Sequence, residues 1–130
     1  MSTSKPCLFC TLPTERVIDQ NESGMVIRDG YPISPGHTLI IPKRHVGSFF
    51  ELEPHEQSAL LDLLRQAKAV VEREFSPNGY NIGINDGPAA GQTVPHLHIH
   101  LIPRFVNDRA DPRGGVRWII PEKADYWSKS

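Results

Sequence analysis

The sequence predicts an α+β fold in which one long helix covers one face of an antiparallel β-sheet. A single stretch, from residue 53 to about residue 75, repeats apolar residues at helical spacing, and the other apolar stretches are short and bounded by turn formers. The resulting order is three strands, a helix and two strands, with short connections that favour antiparallel pairing. With 130 residues, we expect a single domain, 1–130, with a variable C-terminal extension from about residue 105 to residue 130.

The helix has recognisable ends. Pro54 suits the first helical turn, and the acidic Glu56 is favourable near the positive end of the helix dipole. The run Ser76-Pro77-Asn78-Gly79 ends the helix. Its predicted apolar stripe comprises Leu60, Leu61, Leu64, Ala67, Val71 and Phe75.

The predicted strands are short and are separated by turns rich in glycine, proline and asparagine. Besides the histidine-rich stretch, they cover residues 16–19, 25–28, 37–42 and 80–85, with a last extended segment at 114–121. Two loops rich in turn formers, 29–36 and 86–93, lead directly into later histidines. Such loops are costly to order, so we expect them to contribute to a site.

The stretch from Pro95 to Pro103 alternates histidines with large aliphatic residues. Alternation with a period of two predicts a half-buried strand with Leu97, Ile99 and Leu101 on the core face. His96, His98 and His100 would then share the opposite face, about 6.5 Å apart. Imidazole titrates near neutral pH and can act as base, acid, nucleophile or metal ligand, so this face is the predicted reaction centre.

The charge balance argues against some partners. Fourteen basic and fifteen acidic residues leave no electrostatic case for nucleic acid or an anionic membrane as the main partner. No stretch has the length of a signal peptide core or of a membrane span, so we expect a cytoplasmic protein. Cys7 and Cys10 are the only cysteines, and their C-x-x-C spacing in such a protein indicates metal binding or redox chemistry.

The loop before the histidines is suited to phosphate. Gly87 and Gly91 allow the backbone to approach a ligand closely, and Gln92, Thr93 and nearby amides can donate to phosphate oxygens. The alternative is that Gly87 and Gly91 only form a turn and do not serve a ligand. Neither a Walker loop nor a serine nucleophile elbow is present in the sequence.

These motifs together resemble the histidine-triad (HIT) family. The resemblance rests on His96-x-His98-x-His100 preceded by Gly91-Gln92-Thr93, and on the upstream run from Pro35 to His45, PGHTLIIPKRH. It extends from Cys7 to about Arg104, and the tail from Asp111 to Arg117 is similar to that of some bacterial members.

The resemblance implies a HIT-like fold and a nucleotide hydrolase or transferase that forms a covalent nucleotidyl-histidine and needs no catalytic metal. It implies that His98 is the nucleophile, that His100 contacts phosphate and that His37 supports the triad. It also implies nucleotide contacts: Asp29 with the ribose, and Asn85, Gln92 and Thr93 around the phosphates. Members are usually homodimers whose sheets join across the two-fold axis, so a homodimer is expected here.

A second set of side chains could hold zinc. The thiols of Cys7 and Cys10 with two histidines, His45 and His96, make a complete tetrahedral donor set. Some members of the resembled family with the same cysteine pair and histidine positions hold structural zinc, which implies the same here. The alternative is two reduced cysteines beside hydrogen-bonded histidines.

Several functions fit this reading. The first is hydrolysis of nucleoside 5′-phosphoryl bonds, in dinucleoside polyphosphates or nucleoside phosphoramidates. Arg109, Arg113 and Arg117 would favour polyphosphates if they contact phosphate, although a solvated basic tail is the alternative. The second possible function is that of a nucleotide-binding interaction protein, and the third is nucleotidyl transfer. The histidine at position 100 favours hydrolysis over transfer, because related transferases differ at that position.

Overall fold

A computed structural model describes residues 7–128 of the chain. Five strands and one α-helix form its framework: β1 (Val17–Gln20), β2 (Gly24–Arg28), β3 (Thr38–Pro42), α1 (Pro54–Phe75), β4 (Gly79–Ile84) and β5 (Ile99–Arg104). The strands form one sheet in the order β1-β2-β3-β5-β4, and every neighbouring pair is antiparallel. The predicted fold class is confirmed, because α1 packs on one face of this sheet.

The histidine-rich stretch is only partly a strand. β5 begins at Ile99, and His96 to His98 precede it. The amide of Leu97 donates to Val46 O, and the amide of His96 donates to Val94 O, so this segment is held by loop contacts outside the ladder. The prediction of a strand over all three histidines was therefore wrong at its start, although the alternation of faces persists.

The last predicted strand is also wrong. Residues 114–121 contain a short 3-10 helix, Gly115–Ile119, and a second one follows at Pro121–Lys123. Gly114 and Gly115 have φ values of +95° and +46°, a left-handed backbone that glycine adopts easily and that turns the chain out of an extended path.

The helix-side core confirms most of the predicted stripe and corrects one position. Leu60, Ala67 and Val71 are buried against the sheet, and Leu63 joins them with no exposed surface, whereas Leu61 is 50% exposed. The helix has four leucines, at positions 60, 61, 63 and 64, on neighbouring faces, and the rotation of α1 on the sheet determines which of them are buried.

The opposite face of the sheet has a smaller apolar cluster of Phe9, Ile27, Leu39 and Ile41. Leu97, Ile99 and Leu101 lie in the helix-side core, as predicted, so His98 and His100 belong to the face opposite α1. That face is covered by loops and by the turn at residues 7–10, which we call the N-terminal knuckle. Within residues 7–128, no helix combines the length and the apolar character needed to cross a bilayer.

Candidate active site

His100 lies in the middle of the sheet on the face opposite α1. It pairs in register with Leu39 on β3 and with Gly83 on β4. The register of β4, continued one residue past the Ile84–Ile99 pair, brings the exposed Asn85 level with His98. The two histidine rings lie 5.0 Å apart between centroids, so the two predicted reacting groups are neighbours.

His98 is held in one tautomer. Its Nδ1 lies 2.9 Å from the backbone oxygen of His96, which can only accept a hydrogen bond, so Nδ1 carries the hydrogen. The lone pair of neutral His98 is then on Nε2. Phe9 packs edge-on against the ring at 5.2 Å and restricts its rotation. The sequence analysis missed this contact, because an aromatic residue inside C-x-x-C carries no signal of packing on a distant histidine.

His37 and His100 form a hydrogen-bonded chain. The amide of Ile33 donates to Nδ1 of His37 at 3.2 Å, so the hydrogen of this ring is on Nε2. Nε2 of His37 lies 3.0 Å from Nδ1 of His100 and 3.3 Å from Oδ2 of Asp29. Nδ1 of His100 therefore accepts, and its own hydrogen is on Nε2.

The Nε2 of His100 is buried and has no hydrogen-bond partner among the described residues. Burial, followed by the neighbouring rings of His98 and His37, lowers the pKa of His100 to about 4, although Asp29 opposes the shift. Burial likewise lowers the pKa of His37, again against the charge of Asp29. Both rings are neutral at pH 7, and His100 offers one unsatisfied N–H donor to the site.

The loop between β4 and β5 is closed by Gln92. Its Oε1 accepts from the amide of Gly87 at 2.8 Å, and its Nε2 donates to Gly47 O at 2.9 Å and to Val94 O at 3.1 Å. All polar positions of this side chain contact protein, so Gln92 shapes the loop here rather than facing outward. Thr93 is exposed.

Asp29 is tied to the loop that precedes His37. Its Oδ1 accepts from the amide of Tyr31 at 2.8 Å, which closes a turn, while Oδ2 faces His37. The sequence analysis left open a turn-forming aspartate or a ligand-binding one. The structure records the turn and leaves the carboxylate beside the two histidines.

The four predicted metal ligands meet at one point. The donor atoms of Cys7, Cys10, His45 and His96 all lie within 4.8 Å of one another, although the residues come from three separate parts of the chain. Sγ of Cys7 lies 3.2 Å from Nδ1 of His96, Sγ of Cys10 lies 3.2 Å from Nδ1 of His45, and the two Nδ1 atoms are also 3.2 Å apart.

This geometry fits a tetrahedral metal ion. Zinc–sulfur bonds of about 2.3 Å and zinc–nitrogen bonds of about 2.0 Å place tetrahedral ligands about 3.3 to 3.8 Å apart. His96 is also prepared as a ligand, because its Nε2 lies 2.8 Å from the carbonyl of Pro42, to which it donates, and its Nδ1 lone pair faces the thiols. His96 is consequently engaged away from His98.

The arginines of the C-terminal segment, which we define as residues 105–128, contact that segment rather than the histidines. Arg113 bonds Asp111 at 2.9 Å and lies over the ring of Trp127. Arg117 donates to Ala124 O at 3.0 Å and lies over Tyr126. A part of Arg113 and Arg117 in phosphate binding, as raised from the sequence, is therefore not favoured. For Arg109, the structure records no hydrogen bond or ion pair within residues 7–128.

Comparison with known proteins found similar sequences and structures. Residues 12–107 match the family model described as the HIT domain. The chain is 51% identical over 73 residues, 56% of its length, to the asymmetrical bis(5′-nucleosyl)-tetraphosphatase of Schizosaccharomyces pombe, and 34% identical over 127 residues, 95% of its length, to the bis(5′-adenosyl)-triphosphatase of Saccharomyces cerevisiae. These alignments span only 40% and 58% of the two relatives.

A solved structure shares the fold. A zinc-bound histidine-triad protein from Mycobacterium smegmatis superposes with a TM-score of 0.71 and 32% identity, over 81% of this chain and 79% of that one.

Proposed function

Because the chain belongs to the histidine-triad family, we propose that it is a hydrolase that cleaves nucleoside 5′-phosphoryl bonds, with dinucleoside polyphosphates as substrates. The observation that carries the proposal is the pair of rings at the site: the Nε2 lone pair of His98 and the unpartnered N–H of His100. The names of the yeast relatives favour polyphosphates over phosphoramidates.

In the first step of the proposed reaction, Nε2 of neutral His98 attacks the α-phosphorus. A nitrogen–phosphorus bond forms, the bond from phosphorus to the bridging oxygen breaks, and the electron pair leaves with the released polyphosphate. The positive charge that develops on the His98 ring is stabilised by the Nδ1–H bond to His96 O.

In the second step, water attacks the same phosphorus. The nitrogen–phosphorus bond breaks, its electron pair returns to Nε2 of His98, and the proton lost by the water passes to solvent. Throughout both steps, the N–H of His100 donates to a phosphate oxygen, and His37 keeps that hydrogen on Nε2 by donating to Nδ1. The catalytic residues are thus His98 and His100, with His37 as a positioning residue.

The nucleotide contacts remain part of the proposal. Asp29 would bind the ribose hydroxyls, and Asn85, Thr93 and loop amides would bind phosphate oxygens, with His100. Gln92 would act chiefly by holding that loop in shape, which its three contacts to backbone support.

We also propose that the metal at Cys7, Cys10, His45 and His96 is structural zinc. The ligand spacing, the prepared tautomer of His96 and the zinc-bound relative support it. Zinc there would supply no chemistry to the reaction, because the four protein ligands complete its tetrahedral shell.

The assembly and location complete the proposal. We propose one domain over residues 1–130, in a homodimer whose sheets join through β4. β4 is an edge strand of six residues, whereas the other edge strand, β1, has four residues and an irregular register, which blunts pairing. The free thiols are in keeping with a cytoplasmic protein. Neither a membrane nor nucleic acid is proposed as a partner.

The first experiment compares turnover of diadenosine tetraphosphate and adenosine 5′-phosphoramidate by the parent chain, His98→Ala and His55→Ala. His55 is exposed at the start of α1 and serves as the matched control. We expect loss of His98 to lower kcat about 10⁴-fold or more on both substrates, since the covalent step needs its Nε2.

The outcomes separate the candidate functions. The proposal is supported if the parent chain and His55→Ala cleave both substrates and His98→Ala cleaves neither. Residual turnover in His98→Ala close to that of the parent would exclude the covalent step. A parent chain that binds adenosine monophosphate but cleaves neither substrate would identify an interaction protein.

A further inference from the structure

The C-terminal segment lines an open cleft of about 480 Å³ on the face of the sheet that carries the catalytic histidines. We define the C-terminal cleft by its apolar lining: Ile33, Ile102, Phe105, Val116, Trp118 and Ile119. Ile102 is the next residue after His100 on the same face of β5, about 6.6 Å further along the strand. The cleft is therefore adjacent to the reaction centre, on the β4–β5 side.

The cleft is built largely by residues outside the family match, which ends at residue 107. The C-terminal segment is folded by its own contacts: Nε1 of Trp118 donates to Arg113 O at 2.7 Å, and Arg113 and Arg117 lie over Trp127 and Tyr126. These contacts fix the Trp118 ring in place without filling the space between the segment and the sheet.

The lining is suited to a nucleobase and its phosphates. Two aromatic side chains, Phe105 and Trp118, offer faces for base stacking, and the volume falls in the range of small-molecule sites. Oγ of Ser34 is buried on the cleft wall and has no hydrogen-bond partner within residues 7–128. Arg109 also lines the cleft, and the two carboxylates of the lining, Asp108 and Asp111, are paired with Arg104 and Arg113.

We propose that the C-terminal cleft binds the nucleoside of the leaving group, so that a dinucleoside polyphosphate extends from the reaction centre past His100 into the cleft. This inference rests on the proposed hydrolase function and specifies its substrate preference. As proposed above, Asp29 binds the ribose of the nucleotide that becomes attached to His98. The C-terminal segment is thus a specificity-determining element for substrates with two nucleosides.

The test uses two substrates that differ only in the leaving nucleoside. Attack on the α-phosphorus of diadenosine tetraphosphate releases ATP, whereas the same attack on adenosine 5′-tetraphosphate releases inorganic triphosphate. The measured quantity is the ratio of kcat/KM for the two substrates. Because base–aromatic stacking contributes about tenfold or more in binding, we expect Trp118→Ala to lower this ratio about tenfold.

A matched pair of variants distinguishes the loss of a contact in the cleft from a general disturbance of the C-terminal segment. Ile119 lines the cleft and Ile120 does not, although both are exposed isoleucines. We expect Ile119→Ser to lower the ratio and Ile120→Ser to leave it unchanged. Light scattering on each variant reports the mass of the assembly.

Each remaining outcome overturns the inference. A ratio that is unchanged in Trp118→Ala and Ile119→Ser, with both substrates cleaved, refutes the leaving-group site and leaves the hydrolase function standing. A parent chain that cleaves neither substrate refutes the proposed function and the inference together. A change of mass in Ile119→Ser identifies the cleft as an interface between copies of the chain.

Discussion

The protonation of single imidazoles determines what this site can do. His100 is neutral at pH 7 because burial lowers its pKa to about 4, and His37 holds the remaining hydrogen on Nε2. His98 is oriented by one backbone carbonyl, that of His96. Three rings of the same residue type thus differ in which nitrogen carries the hydrogen, and their hydrogen-bond partners set this.

The lowered pKa of His100 predicts a pH dependence of stability. In the unfolded chain this ring titrates near pH 6.5, so between about pH 6.5 and pH 4 the unfolded state binds more protons than the folded state. The free energy of unfolding should fall with falling pH in this window, by at most about 1.4 kcal/mol per pH unit for this group. His37, whose pKa is also lowered, contributes in the same direction.

Urea unfolding of the parent chain and of His100→Gln at pH 7, 6 and 5 checks this prediction. The parent chain should lose more stability on acidification than His100→Gln, because glutamine does not titrate. Equal losses of unfolding free energy in both proteins would show that His100 does not titrate between pH 7 and pH 5 in either state.

At the scale of elements, the packing of α1 on the sheet depends on one glycine. A Cβ on Gly24 of β2 would meet the side chain of Leu60 and would lie 3.0 Å from Ile41 O and from Leu63 Cδ1. The helix approaches β2 at a distance that no larger residue allows. This contact fixes the rotation of α1 and thereby buries Leu63 rather than Leu61.

Gly24→Ala should therefore destabilise the fold, by about 1 to 3 kcal/mol, because it overpacks the helix–sheet contact. Gly79→Ala on β4 is the matched control, since nothing lies within 4 Å of the Cβ it would add. Denaturant unfolding of both variants measures the difference. Comparable effects at the two positions would mean that strand propensity, and not the contact with α1, governs Gly24.

The sequence predicted elements better than it predicted their ends. Helix α1 was nevertheless located to within about a residue at each end, because its period and its end signals agree. The extended segment at 114–121 was wrong, because its apolar residues face a cleft and the C-terminal segment rather than a neighbouring strand. The sequence also did not predict that Gln92 closes the loop, since the hydrogen-bond partners of its side chain lie at Gly47, Gly87 and Val94.

At the scale of the whole molecule, His96 connects the proposed metal centre to the reaction centre. Its Nδ1 faces the two thiols, while its backbone oxygen accepts the hydrogen of His98. Metal bound by Cys7 and Cys10 would tie the N-terminal knuckle to the segment before β5. Occupancy of the metal centre should therefore stabilise the fold and hold His98 in position.

Removal of the metal by a chelator should lower the free energy of unfolding by about 4 kcal/mol, if the metal is present at a thousandfold its dissociation constant. The melting temperature should fall by about 10 °C or more. Cys10→Ser should melt near the chelated parent, whereas His55→Ser, an exposed histidine outside the cluster, should melt with the untreated one. A melting temperature that the chelator does not change would contradict the zinc proposal.

The dimer proposal makes a separate prediction for the two sheet edges. Ile82 on β4 and Ile18 on β1 are each 46% exposed, so they form a matched pair. We expect Ile82→Lys to halve the mass measured by light scattering, because a buried charge at the joined edge is costly, and Ile18→Lys to leave it unchanged. Dissociation by Ile18→Lys alone would assign the interface to the opposite edge.

The sequence by itself determined the alternation of the histidines, the single helix, the candidate metal donor set and the family resemblance, because these depend on residue type and on spacing along the chain. Only the tertiary structure decided which ring donates to which, that Gln92 binds its own loop, and that Arg113 and Arg117 fold the C-terminal segment. Such contacts join residues far apart in sequence, and their hydrogen bonds depend on angles and burial that no local pattern records.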